Sequence, residues 1–173
     1  CFQFINIIAC SNSDFLVLAV DSLSANSALI RINSNGDFIW EKRFQQGTLN
    51  EEWYQNQKLI NVGNEIYFLM LNTIQDQTGV NETTIYKIGA TGSTISQKNI
   101  NSSEGEFYFG EITSYANKLS LYGGFKSNTT QLIDKGVLLE LDFNLSPLNI
   151  YESAIILKNV KFINQEYIIS GLL

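Results

Sequence analysis

The chain has 173 residues, 45% of them hydrophobic and 12% aromatic against 16% charged, a composition that supports a packed core and excludes a disordered chain. Its formal net charge of -6, with no cluster of Lys or Arg, excludes the phosphate-tracking surface that a nucleic-acid partner needs. Histidine is absent, which removes Ser-His-Asp and Cys-His chemistry and the commonest metal ligand from this chain, and no apolar run approaches the ~18 residues of a membrane-spanning helix.

The first strand is expected over Ile5 to Cys10, and a polar turn, Asn12-Ser13-Asp14, leads into a second over Phe15 to Val20. With the opening residues extended at about 3.3 Å each, Cys1 and Cys10 stand too far apart for a disulfide. Chain order then repeats this hairpin three times. Lys58 to Val62 turns through Asn64-Glu65 into Ile66 to Leu71; Glu111 to Tyr115 turns through Asn117-Lys118 into Leu119 to Gly124; Asn159 to Ile163 turns through Asn164-Gln165-Glu166 into Tyr167 to Leu172. Asn in each turn tolerates the left-handed backbone of a tight hairpin. The spacing of about fifty residues is the period of a blade-forming repeat.

A third strand follows in three of the units, over Ala28 to Ile32, Thr84 to Ile88 and Val137 to Leu141. Each carries one charge at the same place, Arg31, Lys87 and Glu140, between apolar residues, which reads as a half-exposed strand. Asn35-Gly36 and Thr91-Gly92 supply the positive φ of the next turn, before fourth strands at Phe38 to Phe44 and Thr94 to Ile100. The third unit has Asn144-Leu145 there and the chain's one proline, Pro147, just beyond, so its fourth strand is expected at an edge or irregular. The fold class is all-β: a β-propeller-like array of about three and a half four-stranded antiparallel blades. The blades fall at about 1–46, 53–101 and 106–152, with a half blade at about 155–173, a single repeat array that is expected to be part of a larger propeller.

The run Ser27 to Phe44, SALIRINSNGDFIWEKRF, with SDFLVLAVDS at Ser13 to Ser22 before it, resembles the repeat of secreted and cell-surface β-propeller proteins related to quinoprotein-like propellers. An apolar-basic-apolar strand end, an Asn-Gly turn and a strand with a central Trp, here Trp40, carry the resemblance; Ser96 replaces the Trp in the second unit. It implies a propeller fold and an exterior location, and no particular activity.

Aromatic residues recur ahead of the first strands, at Phe2 and Phe4, at Trp53 and Tyr54, and at Phe107, Tyr108 and Phe109. They read first as packing between blades and second as a platform for sugar rings, with Trp53, Tyr54, Phe107 and Tyr108 as the candidate binding residues. Glycosylation sequons stand at Asn81, Asn101, Asn128 and Asn144. Acid pairs at Glu51-Glu52, Glu104 with Glu106, and Glu140 with Asp142 offer only a weak carboxylate dyad, and Asn33, Asn35 and Asp37 only a weak calcium loop, so no metal and no cofactor is expected. The apolar strand containing Tyr167, Ile168, Ile169 and Leu172 lacks following partners, which makes it the candidate interface. The expected function is a non-enzymatic extracellular or cell-surface scaffold whose open edge is completed by further chain or another subunit. A glycan-binding module is the alternative, and an enzyme with a carboxylate-based site the third reading.

Overall fold

The computed structural model describes residues 2–10, 12–21, 26–44, 57–73, 81–129, 133–163 and 166–172. They form fourteen strands and no helix: β1 Phe2–Ala9, β2 Phe15–Asp21, β3 Ser27–Ile32, β4 Phe38–Phe44, β5 Lys58–Val62, β6 Glu65–Thr73, β7 Asn81–Ile88, β8 Thr94–Ile100, β9 Gly105–Tyr115, β10 Lys118–Ser127, β11 Lys135–Asp142, β12 Pro147–Ser153, β13 Ile156–Ile163 and β14 Glu166–Leu172. Pairing is between chain neighbours throughout, giving three four-stranded antiparallel sheets, β1-β2-β3-β4, β5-β6-β7-β8 and β9-β10-β11-β12, and a two-stranded sheet β13-β14. This is a propeller-like array of three blades and half of a fourth.

Stacking the sheets face to face buries both sides of their central strands. In β6, Ile66, Phe68 and Met70 pack toward the first sheet, on Leu16, Leu18, Leu29 and Phe44, while Tyr67 and Leu69 pack toward the third, with Phe107, Phe109, Leu119 and Leu121. A strand with period-two side chains and two covered faces must be apolar on both, which is why β6 and β10 read as continuous apolar runs. The fourth strands β4, β8 and β12 lie at sheet edges and are mostly exposed. The third contact is smaller: Tyr122 and Leu138 meet Leu157 and Val160, with Ile155 and Tyr167 against them.

The turn between third and fourth strands has one geometry in all three blades. The first residue's N–H donates to the fifth residue's carbonyl, Asn33 to Asp37, Gly89 to Ser93 and Asp142 to Ser146, and the fourth residue has positive φ. Gly36 at φ 87° and Gly92 at φ 83° fill that position as expected, but in the third blade Leu145 does so at φ 67°. Left-handed backbone costs a leucine about 1–2 kcal/mol. Its buried side chain and the Asp142 carboxylate, which accepts from the N–H of Asn144 and of Ser146 at 2.8 Å each, offset that cost. β12 is therefore a regular edge strand, and its one register shift, beside Glu140, matches those beside Arg31 and Lys87. In the first three hairpins ahead of the second strands, Ser13, then Gly63, then Ala116 with Asn117 take the positive φ, so among the described residues the flanking Asn does so itself only in the third.

Candidate functional site

The charges at Arg31, Lys87 and Glu140 do not line half-exposed faces. They are buried, at 8%, 7% and 2% exposure, because each points at the next sheet in the stack. Burial of a charge requires a partner, and the partner comes from the start of the second strand of the same sheet: Asp14 just ahead of β2, and Glu65 and Lys118 as the first residues of β6 and β10. Arg31 pairs with Asp14 at 2.9 Å, Lys87 with Glu65 at 2.9 Å, and Glu140 with Lys118 at 3.1 Å. The sequence held this signal as an acid-base pairing at fixed repeat positions, reversed in sign in the third unit.

The cations also reach across to the following sheet. Arg31 Nη1 donates to the carbonyl of Ala90 at 2.6 Å, and Lys87 Nζ donates to the carbonyl of Phe143 at 2.9 Å. Ala90 and Phe143 are the second residues of successive equivalent turns, so these are one contact made twice. Trp40 reinforces the first copy: its Nε1–H donates to the same Ala90 carbonyl at 2.9 Å, and its ring lies so close on Gly92 that a Cβ there would stand 2.9 Å from Cδ2. Tyr67 reinforces the second, its hydroxyl lying 3.0 Å from the Phe143 carbonyl and 2.9 Å from Glu65.

Glu140 cannot donate, and the third contact runs the other way. The Tyr167 hydroxyl, from β14, donates to Glu140 Oε1 at 2.5 Å, while Asn149 Nδ2 donates to Oε2 at 2.6 Å. Burial pushes the Glu140 carboxyl up, but the hydrogen bonds from Tyr167, Asn149 and Lys118 outweigh it and hold its pKa below the ordinary value. Burial and the bond to Glu140 push the Tyr167 phenol up to about 12. The hydroxyl of Ser120 lies 3.2 Å from that of Tyr167.

This network anchors the candidate interface. Tyr167 faces the third sheet, whereas Ile168 faces away and is 55% exposed. Ile169 and Leu172 pair through their backbones with Val160 and Ile156. The other edge of β14 meets no strand among the described residues.

The remaining site expectations distribute as follows. Trp53, Tyr54 and the Glu51-Glu52 pair lie outside the described residues. Phe107 is buried between the second and third sheets, stacked on Phe109 with ring centroids 5.5 Å apart, and Tyr108 is half-buried with its hydroxyl on Glu106. Phe107 also floors a cleft of about 370 Å³ between β8 and β12, with Ile100, Leu139 and Leu141, and Lys98, Asn99 and Asn101 at its rim. Asn101, Asn128 and Asn144 are exposed; Asn128 Nδ2 donates to the Ser103 carbonyl, and Asn81 opens β7. The Asn33 side chain accepts from the N–H of Asn35 and of Asp37, so those residues build a turn. No group of three or more His, Cys, Asp or Glu that could hold a metal occurs among the described residues, no helix there is long and apolar enough to cross a membrane, and Cys10 is a free thiol.

No family model matches the sequence, and no curated protein matches it significantly. Solved structures do. The subtype N11 neuraminidase-like protein of A/flat-faced bat/Peru/033/2010 (H18N11) superposes with a TM-score of 0.55 at 12% identity over 81% of this chain. A subtype N10 neuraminidase-like protein of A/little yellow-shouldered bat/Guatemala/060/2010 superposes with a TM-score of 0.56 at 17% identity over 85% of it. The likeness is one of fold. The chain spans 35% and 43% of the length of those two proteins, and the specific surface-protein repeat family is not matched.

Proposed function

We propose that the chain is a non-enzymatic propeller scaffold of the cell exterior, an interaction module whose fourth blade is completed by strands that dock on β14. The observation that carries this reading is the pairing of a locked hairpin with an open edge. Tyr167 fixes β13-β14 against the third sheet through the buried Glu140, and the backbone of β14 is then presented in line with three complete four-stranded sheets. Unpaired strand edges are templates for β-augmentation, and natural proteins cover them. Exposed sequons at Asn101, Asn128 and Asn144 accord with an exterior protein carrying N-linked glycans. The absence of histidine removes the commonest general base.

Hydrogen exchange on the β14 amides tests the scaffold reading directly. Those amides that point away from β13 exchange freely in the isolated chain and become protected in the native assembly; equal protection in both states overturns it.

A glycan-binding role is the second reading, favoured by the cleft between β8 and β12. Its apolar floor of Phe107, Leu139 and Leu141 beneath Lys98, Asn99 and Asn101 suits an amphipathic sugar ring. A glycan array probed with the chain and with Asn99→Ala decides it, since unchanged binding excludes the cleft.

A further inference from the structure

We infer that Asn101 carries an N-linked glycan whose first sugar lies in the cleft between β8 and β12, covering the seam between the edges of the second and third sheets. The inference rests on the exterior location proposed above, and it gives that cleft an occupant attached to the chain itself.

Asn101 is placed for this by its surroundings. It directly follows β8, is exposed and lines the cleft beside Ile100. The acceptor sequon is Asn101-Ser102-Ser103, and Ser103 is exposed as well. The turn that follows is tied down on both sides. Ser102 bridges to Gly105, and the N–H of Glu104 donates to Ser102 Oγ at 3.1 Å. From β10's end, Asn128 donates its backbone N–H to the Glu104 carbonyl and its Nδ2 to the Ser103 carbonyl. A sugar on Asn101 therefore leaves a fixed backbone at the edge of the cleft, so little further ordering is needed to seat it. Attachment forms a bond from Asn101 Nδ2 to C1 of the sugar, breaks the C1–O bond to the diphosphate of a lipid-linked oligosaccharide, and releases one amide proton.

The cleft suits the first sugar and excludes the branches beyond it. It lies between two complete sheets, and its volume of about 370 Å³ is at the small end of ligand sites, which run from about 300 to 1,000 Å³. Its apolar floor ends against a β12 wall where Leu148 and Ile150 are 45% and 53% exposed. An N-acetylhexosamine sets its C–H face and acetamide methyl on such a wall and turns its hydroxyls to the rim. There Asn99 Oδ1 accepts from Thr84 Oγ1 at 3.3 Å, which leaves Asn99 Nδ2 as a donor, and Asn149 gives Nδ2 to Glu140, which leaves its Oδ1 as an acceptor. A single ring binds so open a cleft weakly from solution. Attachment at the rim holds the same ring at an effective concentration of about millimolar, which favours the chain's own glycan over one from outside.

Glycopeptide mass spectrometry of the protein from its native source is the first test, and Asn101 is expected to be occupied. Glycan on Asn128 or Asn144 with none on Asn101 overturns the inference and leaves the exterior reading standing. No glycan on any of the three overturns the inference and counts against the exterior reading as well. The seating is tested on the chain secreted from eukaryotic cells, on Ser103→Ala, which removes the sequon, on Ser103→Thr, which keeps it, and on the chain trimmed by an endoglycosidase to the first sugar. Hydrogen exchange at the β8 and β12 amides is about tenfold faster in Ser103→Ala, with the first sheet unchanged. Ser103→Thr and the trimmed chain keep the parent rate, since the first sugar alone covers the cleft. Equal exchange in Ser103→Ala and the parent, or loss of protection on trimming, overturns the seating. So does binding of the glycosylated chain to a glycan array that Asn99→Ala abolishes, because the cleft then takes its sugar from outside.

Discussion

The second and third sheet contacts solve the same problem in opposite directions. Between the second and third sheets a broad apolar cluster, including Tyr67, Leu69, Phe107, Phe109 and Leu121, carries the contact, and Lys87, over the ring of Tyr67, reaches forward to a turn carbonyl of the following sheet. Between the third sheet and the β13-β14 hairpin the apolar contact is small, and the buried carboxylate of Glu140 waits for the following sheet to reach back with a phenol. A cation can donate to the backbone of any neighbour with a turn in the right place, so the second contact needs no particular side chain from the next sheet. A carboxylate accepts only, so Glu140 depends on one residue of the following sheet, Tyr167. The polar residue is thus a supplement in one contact and the main anchor in the other.

The largest effect is expected from reversing the buried charge. Glu140→Lys places a cation beside Lys118 with no counter-charge and is expected to cost about 3–5 kcal/mol. Adding Lys118→Glu restores the pair but not the carboxylate that Tyr167 and Asn149 address. The double variant should remain about 1–2 kcal/mol below the parent in chemical denaturation; full recovery would mean that Tyr167 does not set the sign.

Next comes Gly136→Ala. A Cβ at Gly136 would lie 1.8 Å from the carbonyl oxygen of Ile155, so the segment leading into β13 must move, at about 1–3 kcal/mol, with loss of hydrogen-exchange protection confined to β13-β14. Gly110, where a Cβ meets nothing within 4 Å, is the control and should change stability by less than about 0.5 kcal/mol as alanine. Tyr167→Phe follows at about 1–2 kcal/mol, since it leaves a buried carboxylate one donor short while keeping the ring. In the second contact Tyr67→Phe should cost less, because Lys87 still holds both Glu65 and the Phe143 carbonyl.

Much of this architecture was legible because it is local. Period-two apolar runs, Asn-Gly and Thr-Gly turns and the spacing of about fifty residues each act within a few residues, and they placed nearly every strand. What escaped was set by the stacking of sheets. Arg31, Lys87 and Glu140 alternate with apolar neighbours as any half-exposed strand does, and alternation alone cannot report that another sheet covers the polar face. Their partners, Asp14, Glu65 and Lys118, were in view as turn residues, and pairing charges across each repeat would have found the site. Leu145 is a different case: its left-handed backbone is unfavourable locally and is held by burial and by Asp142, neither of which a turn rule contains. The aromatic residues Phe107 to Phe109, expected ahead of the strand and found within β9, were ambiguous for the same reason, since only the packed structure puts Phe107 between sheets.

The smallest and most selective effect is the pH dependence of the third contact. Glu140 has its pKa depressed in the folded chain: burial raises it, and the donors Tyr167, Asn149 and Lys118 more than compensate. A depressed carboxyl contributes stability that is present above its unfolded value and is lost as pH falls through the folded one, so the share of β13-β14 protection due to Glu140 should decline in acid. Tyr167 works at the other end. Its pKa, raised from 10.0 to about 12, contributes stability that is complete below the unfolded value and fades as pH climbs through that interval. Tyr167→Phe should shrink the alkaline limb of β13-β14 exchange to the part left by Tyr122, whose phenol burial also raises in this contact, and shift the acid limb to higher pH, because Glu140 loses one of the donors that depress it. The second contact should keep its own acid limb, since Lys87 and Tyr67 together overcome the burial that raises Glu65. If Tyr167→Phe instead moves the protection of β6 and β7 as much as that of β13-β14, the two contacts titrate as one unit, and the difference in how they are anchored does not hold.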